Sequence, residues 1–360
     1  MSQALDNAMA TIDANCGQLD EAKALVRAKC RALMVGYDAR WNGEPYVAVA
    51  VEQVYTAPLV NPVTNYPSRS FVVAGKLDVL ARHERRKLVV IDHKFTTQDF
   101  SQPDAAYWRQ LVIEAQATHY MLLLWLNGIK AEGAMWDVIK RPTINPKKLT
   151  KAERASTVAD RKYFGLAMSN ETLAALQTED RETLEMYEAR LAHDCTVERP
   201  GYYFARRSIP RLDSEVMQYA SDLWQHSQDI LASRKVERLP KTSGACMSYN
   251  SPCQFLGICS GFDTPDSDRW QSRESRHSEL GEHGNIDALT PSRVRTFQTC
   301  KQKHRFTYEL GIERQEEDKE SLYAGTLLHH ALEAWWKTFL PQEQDHVNGC
   351  ETETAGTAGT

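Results

Sequence analysis

Asp78, Asp92 and Lys94 are the residues of this chain whose types and spacing could do chemistry. Asp78 lies near the end of an apolar, β-branched run, Phe71 to Ala81. Asp92 and Lys94 close a second run, LVVIDHK, which starts at Leu88. The charged stretch His83 to Lys87 reads as a turn, so the two runs are expected to pair as a hairpin. Side chains alternate along a strand, which puts Asp92 and Lys94 on one face and lets Asp78 approach them. Two carboxylates and a lysine at the end of a buried sheet would be costly without a partner. Mg²⁺ is such a partner, because it takes oxygen ligands and needs only one or two protein carboxylates beside water and substrate phosphate. A neighbouring lysine can orient an attacking water or neutralise charge developing on phosphorus. The plainer reading is a surface hairpin with an Asp–Lys salt bridge; Asp78 and the helix that follows weigh against it.

The elements around this hairpin must position it. Residues 1–36 read as helix, and Tyr46 to Val60 alternates as a strand. Glu52 in that strand is either a third acidic group near the site or a solvated strand residue. Tyr107 to Leu126 reads as one long amphipathic helix with an apolar stripe. Gln116 and Tyr120 are four apart on it and share a face. Ala131 to Ile139 reads as a further strand, and 180–194 and 212–234 as helices. The stretch from Lys140 to Arg154 reads as a basic loop, either solvated or contacting phosphates. Tyr202 to Arg211 mixes aromatics with Arg206, Arg207 and Arg211, which suits single-stranded nucleic acid or a core with surface arginines.

Asp78, the IDHK at 91–94, Gln116 and Tyr120 together resemble the PD-(D/E)XK nucleases. The nearest branch is the RecB-like exonucleases, including the CRISPR-associated ones and their phage relatives. The resemblance implies an α/β fold: a restriction-endonuclease-like core, with a mixed central sheet flanked by helices, plus a Cys-ligated cluster subdomain. It implies that Asp78, Asp92, the main-chain carbonyl of His93 and His329 hold Mg²⁺ or Mn²⁺. Lys94 then positions the water, and Gln116 and Tyr120, beside the site, position the substrate as part of the catalytic set. The implied activity is phosphodiester hydrolysis of DNA, as an exonuclease on single-stranded ends, in recombination, repair or phage DNA processing. A non-catalytic binding module that keeps the fold is the alternative.

Composition bounds the rest. The 360 residues suffice for one large domain or two ordinary ones, and the net charge is −5. A mildly acidic chain does not advertise nucleic-acid binding, yet local basic residues and a metal site are compatible with it. No apolar run reaches membrane-span length, and the N-terminus lacks a signal-peptide pattern. A cytoplasmic, reducing location is expected, so the eight cysteines read as thiols or metal ligands. No P-loop occurs.

Cys246, Cys253 and Cys259 fall in one short turn-rich segment. Three thiols so placed suggest soft-metal ligation that lacks a fourth ligand. The resemblance implies a [4Fe–4S] cluster completed by Cys300, in S-R-x-x-x-F-x-x-C; zinc is the runner-up. His329 and Glu333 fall in a G-T-x-x-H-x-x-L-E pattern. Both motifs open the family domain, yet here they follow its end. Two arrangements fit: a circular permutation in which 286–340 completes the domain of 1–261, or a truncated tandem copy. Residues 262–285 read as a linker, and 341–360 as a disordered tail. As a coil that linker would span roughly 25–30 Å, so docking in the same chain is open.

Overall fold

A computed structural model describes residues 2–17, 20–83, 87–248, 251–273, 280, 286–315 and 320–341; the tail expected beyond these lies outside the described residues. The central sheet is mixed. Its strands are β1 (Tyr46–Val60), β2 (Pro67–His83), β3 (Leu88–Thr96), β4 (Gly133–Lys140) and β5 (Phe204–Ile209), in that spatial order. β1, β2 and β3 are antiparallel neighbours, β3 and β4 run parallel, and β5 returns antiparallel. The expected hairpin is present, but β2 and β3 pair only from Val79↔Ile91 to Arg82↔Leu88. Beyond that they fork. β3 continues against β4, while β2 continues against β1.

Each sheet face carries a core, because strand alternation sends apolar side chains both ways. α1 (Gln3–Asn15) and α2 (Glu21–Trp41) cover one face, packing Ala8, Ile12, Leu33 and Tyr37 over Val79 and Ile91. The opposite face is covered by α4 (Ala115–Leu126) and, further along the chain, a long helix, Asp213–Arg234. These pack Leu123 and Leu223 over Leu80 and Val90.

The single helix expected over 107–126 is two. α3 (Ala106–Ile113) ends at Glu114, whose extended backbone (φ −64°, ψ 124°) starts α4 in a new direction. The break is held by side chains that take the carbonyls freed from the helix. The Trp136 indole donates to Leu111 O at 3.1 Å, and Arg211 donates to Val112 O at 2.6 Å.

The basic loop is also partly helical. Lys151–Asp160 forms a helix behind a Thr150–Glu153 capping box. Lys147 pairs with Glu153 and Lys148 with Asp180, each at 2.7 Å, so these cations are neutralised locally. Nor are the 202–211 arginines a free surface row: Arg206 is buried, and Arg207 and Arg211 donate to main-chain carbonyls.

The segment after 286 enters the same layers. β7 (Asp287–Leu289) runs parallel to β2 at Phe71–Val73, on the edge that β3 vacates at the fork. α8 (Pro291–Thr299) adds Val294 and Phe297 to the α4 core. α9 (Glu320–Lys337) adds Leu327, Leu328, Leu332, Trp335 and Trp336 to the α1–α2 core. Asn7 donates to Thr338 Oγ1 at 3.0 Å, so the two described ends of the chain meet. Within the stretch expected to be linker, β6 (Trp270–Ser272) pairs with β8 (Ile312–Arg314), and Trp270 stacks on Phe255. A polar composition hid that small apolar core.

Candidate active site

The fork between β2 and β3 is where the acidic residues gather. Asp78 and Asp92 stand opposite each other just past the last paired residues, Val79 and Ile91. Splitting the strands leaves the His93 N–H without a ladder partner, and it donates to Asp78 Oδ2 at 2.8 Å. In an extended strand the N–H and carbonyl of one residue leave on the same edge, so the His93 carbonyl also faces the fork. Asp78 is pushed up to about 7, by burial first and by the Asp92 charge second.

On the α4 face, Asp92, Lys94 and Gln116 close a triangle. Lys94 Nζ lies 2.7 Å from Asp92 Oδ2 and donates to Gln116 Oε1 at 2.6 Å. Gln116 Nε2 reaches Asp92 Oδ1 at 2.9 Å and the Tyr120 hydroxyl at 2.8 Å. The Lys94 ammonium also sits 4.7 Å from the Trp136 ring centre. The Asp92–Lys94 contact is ionic but off hydrogen-bond geometry, which leaves Asp92 Oδ2, buried, with a lone pair unclaimed. Gly75 lets Tyr120 lie against β2, since a Cβ there would meet Tyr120 Cε1 at 3.2 Å.

From the other face α9 brings His329. Its Nε2 lies 3.5 Å from Asp78 Oδ1 and its Nδ1 3.6 Å from Glu52 Oε1. Ligand atoms of Glu52, Asp78 and His329 fall within 4.8 Å of one another, the spacing of a cation site. Burial, then the nearby His93, holds His329 below its ordinary value, and a neutral imidazole is the ligating form. Glu52 also pairs with Lys76 at 2.5 Å. Its backbone has φ 52°, in the left-handed region, inside an otherwise extended strand. That turn breaks the alternation which left its place ambiguous in the sequence. His330, one residue past His329, is exposed, as its different helical face requires.

The four cysteines converge apart from this site. Cys246, Cys253, Cys259 and Cys300 line one small cavity beside Phe255. Burial and then the other three thiols raise Cys259, whereas Cys300 is held below its usual value: burial opposes this, but the Lys303, Thr242 and Gln302 backbone donors prevail.

Among the described residues no helix is long and apolar enough to cross a membrane. No curated protein and no solved structure matches the chain. A family model, the PD-(D/E)XK nuclease superfamily, matches residues 2–260 and 288–357, most of the chain. With the carboxylate fork, the D-x-K strand and the flanking helices in one mixed α/β fold, this chain belongs to the PD-(D/E)XK nuclease superfamily.

Proposed function

We propose that this protein is a metal-dependent deoxyribonuclease that hydrolyses phosphodiester bonds at the β2–β3 fork. The observation that carries the reading is the juxtaposition of the Asp92–Lys94–Gln116 triangle with the Glu52–Asp78–His329 set. Asp78, Asp92, the His93 carbonyl and His329 would hold the cation, with Glu52 as a further oxygen donor. The unclaimed lone pair of Asp92 and the crowding of Asp78 fit such a group. Oxygen ligands suit Mg²⁺, and the imidazole favours Mn²⁺. Bound there, the ion supplies Lewis-acid polarisation of the phosphate and a more acidic water. Lys94, fixed by Asp92 and Gln116, holds a positive charge where phosphate charge develops and orients the water. Tyr120 keeps Gln116 in place.

A cavity of about 590 Å³ opens beside the site, between α4 and α8, with Gly75, Lys76, Gln116 and Arg295 among its lining residues. That volume is in the range of single-ligand pockets. It suits one strand rather than a double helix, which supports single-stranded ends as substrate. Exonucleolytic attack follows from the family resemblance, and a ladder of products from an end-labelled strand would test it.

We also propose that the four cysteines hold a [4Fe–4S] cluster. A single zinc at about 2.3 Å from each sulfur needs sulfurs about 3.8 Å apart, whereas among the described residues no three cysteine sulfurs lie within 4.8 Å of one another. A brown protein that bleaches in Cys300→Ser supports the cluster; a colourless one containing zinc defeats it. The meeting of the chain ends and the entry of β7, α8 and α9 into the sheet layers support one permuted domain.

The deciding experiment is Asp92→Ala assayed on DNA with Mg²⁺ or Mn²⁺. Cleavage should be abolished while the thermal melt stays cooperative. A variant that cuts like the parent, or a parent that cuts nothing with either ion, overturns the nuclease reading. In the latter case retained DNA binding favours a non-catalytic module.

A further inference from the structure

Beneath the fork, on the α1–α2 face, lies a buried polar network with no place in the chemistry just described. Sheet register aligns Arg206, Asp137 and His93 in one row across β5, β4 and β3. Asp137 is fully buried, and its Oδ2 accepts from the Tyr37 hydroxyl at 2.6 Å and from Arg206 Nη2 at 3.2 Å, while His93 Nδ1 lies 3.2 Å away in an electrostatic contact outside hydrogen-bond geometry. The Tyr37 oxygen in turn accepts from Arg206 at 2.9 Å and from the Trp336 indole at 3.1 Å. Glu44 closes the far side on Arg206.

The two ends of this network reach the site by different routes. Trp336 stands seven residues after His329, two turns along the same face of α9. His93 stands between Asp92 and Lys94, and its backbone N–H holds Asp78 at 2.8 Å. A continuous path therefore runs from the helix that carries His329, through Trp336, Tyr37 and Asp137, to the strand edge at Asp78. Burying charged groups is costly, and apolar side chains of like volume would pack these layers at less expense. Hydrogen bonds of fixed direction give what apolar packing does not, a defined register between elements.

We propose that Asp137 is a positioning residue that couples the seat of His329 on α9 to the β3 edge facing Asp78. The inference rests on the metal-site reading above. It assigns the arrival of the C-terminal segment and the shaping of the carboxylate fork to one buried contact. Through it, loosening either partner loosens both.

The test uses the full chain with two variants, Asp137→Asn and Tyr37→Phe, neither of which removes a group placed at the cation. Mn²⁺ binding is measured by titration calorimetry. Amide hydrogen exchange is measured without metal over residues 88–96 and 320–337. Groups behind metal ligands typically change affinity ten- to a hundredfold, so Asp137→Asn should bind Mn²⁺ that much more weakly. Tyr37→Phe should lose roughly tenfold on the same scale. Exchange should rise in both segments together. A folded variant that binds Mn²⁺ like the parent overturns the inference, as does faster exchange confined to one segment. If Asp137→Asn does not melt cooperatively, the milder Tyr37→Phe decides alone. A parent that binds Mn²⁺ yet cleaves nothing defeats the nuclease reading and leaves this inference standing. In a parent that binds no Mn²⁺ the exchange result decides.

Discussion

Lys94 carries the most specific expectation at the scale of single residues. Its ammonium is held by Asp92 and Gln116 over an aromatic ring. Removing the charge while keeping the stem, Lys94→Met, should lower the cleavage rate about 10²–10³-fold, the usual cost of losing one electrostatic donor to a transition state. Mn²⁺ affinity, measured separately, should fall far less, because the cation's own ligands remain. Equal loss of both would mean that Lys94 shapes the site and does not act on phosphate.

His119 sets a different expectation, for stability. Fully buried, it lies 3.0 Å from Ala74 O and 3.1 Å from the Tyr219 hydroxyl, and burial lowers it to about 4. The unfolded chain should titrate near 6.5. Between these values the unfolded state binds more protons, so stability falls as pH drops. The contribution is intact above about 6.5 and fully lost near pH 4, up to about 3 kcal/mol. Urea titrations across that window should show the slope, and His119→Gln should flatten it.

The contact of β2 with α4 makes a prediction at the scale of elements. Gly75 is the point of closest approach, and a methyl there would meet Tyr120 at 3.2 Å and Leu123 at 3.4 Å. Tyr120 is buried and its hydroxyl is tied to Gln116, so it cannot yield alone. Gly75→Ala should therefore cost only about 1–3 kcal/mol of stability but disturb Gln116 and Lys94 with it. The check is to compare the thermal melt with the cleavage rate: activity should fall further than the stability change accounts for. The same element shows where reading by period stops. A helix from 107 to 126 satisfied the apolar spacing, yet Trp136 and Arg211, remote in sequence, hold the break at Glu114. No local signal, neither proline nor glycine, marks it.

For the whole molecule, the C-terminal segment is part of both cores. Val294 and Phe297 lie in one, and Leu327, Leu332, Trp335 and Trp336 in the other. A chain ending at 285 exposes the partners of all of these, and should lose its cooperative melt as well as activity. Conversely, a rearranged chain that runs from 286 to 340, through a short linker, into residue 2 and on to 273 should fold and melt like the parent, because Asn7 and Thr338 already touch. Retained activity in the truncated chain would show the His329 helix to be dispensable.

The two hairpin strands and the place of Asp78, Asp92 and Lys94 on them follow from sequence alone, because a period of two and a charged turn leave little choice of hairpin. The pairing of Gln116 with Tyr120 follows from helical spacing. Tertiary structure alone decided how far β2 and β3 pair before they fork, which is what frees the His93 N–H for Asp78. It also decided that Glu52 turns inward, through a positive φ that no alternation predicts. It placed Asp137 under His93, since the register of two parallel strands is set by the packing of the whole sheet and not by either strand's own residues. The approach of His329 to Asp78, across 251 positions of chain, belongs to the same class: the motif was legible, but its destination depended on which layer could bury α9.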